Sequence, residues 1–403
     1  MAVPTAAAVS AVRSDLAHRD GAYPPTVVWS HGRSGSTLLL DTIASDPGMW
    51  PIYEPLQEVR QRPPAHFFVP PEQVGPCRDR DDGTNTLQSP CPLRDASIVL
   101  AALSCNFVPV LSAWYAELEL TRRHAAFLPH EGRFPGAGFT TTRYEPHMAA
   151  KRTARARQDQ RGCRSRKGRV AKVIRLNGEL QAVRNVTRSL HLASPLVVHL
   201  VRDPRAVYAS RKRLSQRGGE RKQDRVAFGV PDGGVGHQEE RRRQQQQQQS
   251  KLRAWARSVC QATRRDAEVG TRSLRNYELV DYSEFVRRPA AVVERLYARH
   301  FRRPVPEAVR AYLRAHIQSE VSAATTAGTL ETANTSWHYA YSTTPRSVER
   351  VDRQWEGELA SWELRAIDAE CTGTPTYRPK PKLLERAQQR QQGRMNGRRR
   401  VAS

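Results

Sequence analysis

A short apolar run, a loop of small polar residues and an apolar helical pattern follow one another between Val27 and Leu56. Val27-Val28-Trp29 leads into Ser30-His31-Gly32-Arg33-Ser34-Gly35-Ser36-Thr37, and Leu38-Leu39-Leu40 with Ile43 follows. That order reads as buried strand, tight loop and helix. A loop of this kind turns backbone N–H groups toward one point, and the helix N-terminus adds about half a positive charge there. An anion, most often a phosphate, suits that point. The phosphate loop of a nucleotide hydrolase ends in Gly-Lys-Ser/Thr, and its Lys neutralises the terminal phosphates. Here no Lys is present. The strong cation is Arg33, with hydroxyls at Ser34, Ser36 and Thr37. A polar strand-to-helix turn without a ligand is the alternative reading.

A second stretch, Pro195 to Arg211, repeats the pattern. Leu196 to Val201 is continuously apolar, as in a strand buried on both faces. Arg202 follows at the end where open parallel sheets bind ligands. Asp203 suits a helix cap and Pro204 the first helical position, with Ala206, Val207 and Ala209 continuing the helix. Ser210 stands eight residues after Arg202. The alternative is an Arg202–Asp203 surface pair with Ser210 as a packing residue.

Together the two stretches resemble the sulfotransferase family, in particular the membrane-type carbohydrate sulfotransferases. Arg33-Ser34-Gly35-Ser36-Thr37 is similar to that family's 5′-phosphosulfate loop. Arg202 and Ser210, within LVRDPRAVYASR, are similar to its 3′-phosphate site. The resemblance implies a three-layer α/β fold of the phosphate-loop type, with a central parallel sheet flanked by helices. It also implies 3′-phosphoadenosine 5′-phosphosulfate as co-substrate, no required metal, and a carbohydrate acceptor. A donor with an anion at each end needs two anion sites, and the two motifs lie roughly 170 residues apart in the expected order.

Other patches extend the resemblance over about residues 26–375. Lys172 and Arg175 fall where the family has a Lys/Arg-bearing strand, an equally good place for structural cations. Cys105-Asn106-Phe107 is similar to a Cys-Asp-Phe segment, with Asn for Asp. Tyr277 to Tyr297 resembles a strand–helix segment, with Asp281-Tyr282 in place of Arg-Tyr-Glu. Tyr339 to Trp355 resembles a late loop closing over the nucleotide, with Ser342, Thr343 and Arg346 as its candidates.

Sulfuryl transfer is an in-line displacement by an acceptor hydroxyl. It calls for cations and N–H donors on the sulfuryl and leaving oxygens, and for a base. Arg33 suits the leaving phosphate. For the base, Glu54 follows the apolar pair Ile52-Tyr53 and resembles the Glu of the family's Glu-Pro-Leu segment. His31, inside the loop, is its rival.

The rest of the 403 residues fits one domain over 26–380. Residues 1–25 read as a disordered N-terminal segment, and 381–403 as a basic disordered tail. Low-complexity basic insertions are expected near 151–170 and 215–250, the second carrying six consecutive Gln. Helical patterns run from Asp95 to about Arg123, Leu180 to Leu192, Leu252 to Glu268, Pro289 to Tyr297 and Leu359 to Cys371, with a short strand at Val173-Ile174.

The formal net charge of +25 favours acidic partners, an anionic glycan among them. A nucleotide kinase or hydrolase is the alternative enzyme, against which the missing Lys counts. A basic nucleic-acid-binding protein is the non-enzymatic one, but no recognisable binding module is present and no specific nucleic acid is expected. Six Cys are too sparse for a disulfide scaffold and form no CxxC pair, so no metal site is expected. The resemblance implies a membrane anchor and the Golgi lumen; neither signal peptide nor membrane span is visible in this chain.

Overall fold

The computed structural model describes residues 23–53, 55–56, 92–105, 159–174, 176, 178–189, 194–216, 238–318 and 354–378. Five strands form its sheet: β1 Thr26–Ser30, β2 Met49–Tyr53, β3 Gly168–Val173, β4 Leu196–Val201 and β5 Tyr277–Asp281. Their spatial order is β2-β3-β1-β4-β5, and every neighbouring pair is parallel. The chain fills one side of β1 before crossing to the other, so the strand order reverses beside β1. Open α/β sheets place ligands at that kind of switch, beyond the carboxyl ends of the strands.

The helices are α1 Ser36–Ala44, α2 Pro92–Leu103, α3 Leu180–Ser189, α4 Pro204–Gln216, α5 Gln238–Ser273, α6 Tyr282–Arg287, α7 Pro289–Leu296, α8 Glu307–Leu313 and α9 Ser361–Cys371. Strand side chains alternate between faces. Val27 and Trp29 of β1 therefore join one core with Ile98 and Val99 of α2 and Leu180 and Val183 of α3. Val28 joins the opposite core with Leu39, Leu40 and Ile43 of α1 and Phe285 and Val292 of α6 and α7. Helices on both faces make the three layers, and they explain why β1 and β4 are apolar at consecutive positions.

A third cluster packs α4, α5 and α9 through Ala206, Leu252, Ala256, Leu364 and Ile367. Arg205 ties α4 to α9 and its flanks through Asp368, Trp355 and Tyr377. Its Nε and Nη2 donate to Asp203 (3.0 and 2.7 Å), and its guanidinium lies 4.7 Å from the ring centres of Trp355 and Tyr377.

The structure adds detail to several stretches of the sequence reading. Much of the segment near 151–170 is ordered: residues 159–165 are helical and β3 begins at Gly168. The strand thus ends where Val173-Ile174 was expected to form one. Its apolar pattern is broken by Arg169 and Lys172, two buried charges whose partners lie far off in sequence. In the segment near 215–250, α5 begins at Gln238 and carries the Gln run. Gln is a good helix former, and the buried stripe Leu252, Ala256, Val259 and Cys260 supplies the packing that sustains the helix. The cysteines, though sparse, form the bridges Cys105–Cys163 and Cys260–Cys371. The second joins α5 to α9; Cys77 and Cys91 lie outside the described residues.

One buried carboxylate fixes α5 behind the sheet. Asp266 accepts hydrogen bonds from Trp29 Nε1 (2.8 Å), the Gly178 N–H (2.7 Å) and the Leu180 N–H (2.9 Å). Burial pushes its carboxyl up to about 7, against the pull of those three donors.

Candidate functional site

β1 ends at Ser30, and the chain turns through His31 to Gly35 into α1. The Ser34 N–H closes the turn on the His31 carbonyl (3.2 Å). Gly35 caps the helix at φ 87°, and a Cβ there would stand 2.2 Å from the Tyr282 ring. Both its left-handed backbone and that close approach require glycine. Arg33 also adopts positive φ, 75°, a conformation that a long side chain takes only at a cost. No side chain caps α1. The N–H groups of its first turn therefore face outward, beyond the sheet edge.

β1 and β4 are neighbours, with Ser30 opposite Leu200, so Arg202 emerges beside the loop. Its Nη1 donates to the Arg33 carbonyl (3.0 Å), and its guanidinium lies 4.4 Å over the Tyr282 ring. Arg33 Nε in turn donates to Ser210 Oγ on α4 (3.1 Å). The two stretches singled out in the sequence thus meet. Asp203 is held by Arg205 and caps α4 through the Arg205 N–H (2.9 Å), which removes the Arg202–Asp203 surface pair as a reading.

Further cations surround the loop. Lys172, on β3 opposite Val28, donates from Nζ to Thr37 Oγ1 (3.0 Å). This strand supplies a lysine to the helix start, although the loop itself has none. Arg211 on α4 brings Nη2 to 3.4 Å from where a Cβ on Gly32 would stand. Arg33 and Thr37 are half-buried, whereas Ser34 and Ser36 are buried, so the latter two offer a ligand less through their hydroxyls than the sequence suggests. An electropositive cluster with helix N–H donors can hold phosphate or sulfate oxygens and stabilise charge that develops on them.

His31 is buried, and its Nε2 is 3.0 Å from Thr263 Oγ1 on α5. Burial first, then His199 and Arg211, lower its pKa to about 3. A neutral imidazole with so acidic a conjugate acid is a weak base at neutral pH. Glu54, Arg175, Ser342, Thr343 and Arg346 lie outside the described residues.

Two residues that the sequence reading did not assign to the site stand on the other flank of the loop. Asp41, one turn after Thr37 on α1, accepts a hydrogen bond from the Tyr53 hydroxyl at the end of β2. Burial raises the Asp41 carboxyl to about 6, opposed by the Tyr53 hydrogen bond and by the nearby Lys172 and His316. A four-residue spacing on a helix is the signal by which Asp41 could have been found. Among the described residues, no group of three or more His, Cys, Asp or Glu comes together as a metal site.

No protein-family model matches the chain, and no curated protein does. Among solved structures, the chain is similar to the sulfotransferase domain of the Synechococcus PCC 7002 olefin synthase. Identity is 14%, over 89% of this chain and 98% of that one, with a TM-score of 0.38. It is also similar to the sulfotransferase domain from the curacin biosynthetic pathway, at 14% identity over 88% and 99% of the two chains, TM-score 0.39. A third is the sulfotransferase STF1 from Mycobacterium tuberculosis H37Rv, at 16% identity over 87% and 81%, TM-score 0.33. TM-scores this low carry no weight for function, which has to be read from the site itself.

Proposed function

We propose that the protein is a sulfotransferase, moving a sulfuryl group from 3′-phosphoadenosine 5′-phosphosulfate to a hydroxyl of a carbohydrate. The observation that carries this reading is the Arg33–Ser210 hydrogen bond with the Arg202–Arg33 contact beside it. Two motifs that a two-ended anionic donor needs share one crevice at the carboxyl edge of β1 and β4. The residues fit such a donor: four cations, an uncapped helix start, and a loop whose glycine permits close approach.

In this reading Arg33, the α1 N–H groups and Lys172 bind the 5′ phosphosulfate end. Arg202 and Ser210 bind the 3′-phosphate. The donor supplies an activated S–O bond, and the cations stabilise charge as it gathers on the leaving phosphate. Arg33 now donates to the neutral Ser210 hydroxyl, so a bound donor would replace that contact by hydrogen bonds between opposite charges at both ends. The carbohydrate acceptor rests on the motif resemblance and on the basic charge, which suits an anionic glycan. The two disulfides suit an oxidising compartment such as the Golgi lumen.

The test is incubation of the protein with donor labelled in the sulfuryl group and a panel of glycans. Label transferred to one class of glycan is the expected result. Turnover of ATP with Mg²⁺ in place of sulfate transfer would move the reading to a nucleotide kinase or hydrolase.

A further inference from the structure

Thr37, Lys172, Tyr53 and Asp41 lie together on the flank of the loop away from Arg202. Lys172 Nζ reaches Thr37 and lies 6.0 Å from the Tyr53 ring centre. Tyr53 stands opposite Lys172 in the β2–β3 register, and its hydroxyl donates to Asp41. Asp41 returns the set to α1, four residues from Thr37. Tyr53 and Asp41 are both half-buried, so the pair is sheltered yet within reach of a molecule at the loop.

We infer that Tyr53 and Asp41 are the proton-accepting pair of the site, with Tyr53 touching the acceptor hydroxyl and Asp41 acting through it; this role rests on the sulfuryl-transfer reading. As the acceptor oxygen bonds to sulfur, the S–O bond to the 5′-phosphate breaks and the phosphate leaves with its electron pair. The acceptor's proton passes to Tyr53 Oη while Tyr53's own proton passes to Asp41. Tyr53 ends unchanged, and Asp41 ends as a neutral acid that returns its proton to water.

The charge balance around Asp41 suits that task. Lys172 approaches it from β3, Tyr53 from β2, and His316 from the turn after α8, where His316 stacks on Tyr312 at 4.2 Å. Burial outweighs these neighbours and leaves the carboxyl near 6. At neutral pH it is mostly ionised, and its basicity lies close to the working pH, where a general base is most effective. His31 is buried on the other face of the sheet, against Thr263. A purely structural Tyr–Asp contact would serve equally well as a neutral pair and would leave no trace in a rate profile.

The test uses the full chain and two readouts. One is the rate of sulfuryl transfer from labelled donor, to water or to a glycan, between pH 5 and pH 8; the other is calorimetric binding of adenosine 3′,5′-bisphosphate. For wild type the rate is expected to fall on the acid side of about pH 6. Asp41→Asn is expected to lower kcat about 100-fold or more and to remove that acid limb, with bisphosphate affinity kept within about twofold. Tyr53→Phe, which deletes one oxygen, is expected to lower kcat likewise, and it decides the question if Asp41→Asn does not fold. An acid limb and rate unchanged in Tyr53→Phe overturn the proposal. So does a limb that disappears only in Glu54→Gln, which assigns the base to Glu54. Wild type that binds no bisphosphate overturns the sulfuryl-transfer reading, and this role with it. Bisphosphate binding with an unaltered limb in both variants overturns this role alone.

Discussion

Arg202, the residue that follows β4, donates a hydrogen bond to the backbone carbonyl of Arg33, the central cation of the loop after β1. A side chain read in the sequence as a phosphate ligand therefore also holds the backbone of the β1–α1 loop. Arg33 sits at positive φ, and its carbonyl direction is part of that unusual turn.

This double role changes what an Arg202 variant should do. Arg202→Ala is expected to weaken binding of adenosine 3′,5′-bisphosphate by about 2–5 kcal/mol, through the lost charge partner. Because the loop also loses its tie, 5′-AMP should bind more weakly too, by about 0.5–1.5 kcal/mol, the net worth of one hydrogen bond. Calorimetry with both nucleotides measures the difference. Equal losses for the two would mean that Arg202 only supports the loop.

Asp266 makes stability depend on pH in a direction opposite to that of an ion-paired carboxylate, whose folded-state pKa is lowered. Its folded-state pKa, about 7, lies above the ordinary carboxylate value of 3.8. Its contribution is therefore fully present below pH 4 and is lost as pH rises through 7. Asp266→Asn cannot ionise. Urea unfolding should find the variant most handicapped relative to wild type at pH 4–5 and least handicapped at pH 7 and above. A constant difference across that range would mean that Asp266 does not titrate there.

The Cys260–Cys371 bridge closes a loop of 111 residues and joins α5 to α9 behind the helix that carries Ser210. Cross-links over loops of this length stabilise by about 4–5 kcal/mol through the unfolded chain. Cys260→Ala with Cys371→Ala should lower the thermal midpoint by several degrees, and more than any single exposed substitution. Calorimetric scans of the variant and wild type provide the check, and an unchanged midpoint would show that the bridge adds nothing.

How much was legible followed from where each residue finds its partners. Val27 to Trp29 and Leu196 to Val201 are buried on both faces by helices, so their apolar runs read directly as parallel strands. The Gly-rich loop and the helix starting at Pro204 have local signals of their own. β3 read only in part: Val173 and, through the resemblance, Lys172 fell on a strand, but its start at Gly168 did not show, because Lys172 finds its partner Thr37 135 residues away in the chain. The start of α5 was hidden by low complexity, which marks composition rather than conformation. The site was legible as two separate stretches. Their contact through Arg33 and Ser210, the Lys172–Thr37 hydrogen bond and the Asp41–Tyr53 pair all depend on strand order. No local pattern encodes that order.

The central claim is that the β1–α1 loop, through Arg33, binds and activates a sulfuryl donor. The most direct measurement is the rate of sulfate transfer from labelled 3′-phosphoadenosine 5′-phosphosulfate by wild type and by Arg33→Ala, with circular dichroism to confirm that both are folded. The expected result is transfer by wild type and a loss of about 100- to 1000-fold in the variant, the usual effect of removing one donor that stabilises transition-state charge. Equal transfer by the two proteins, or none by wild type with any acceptor, would contradict it.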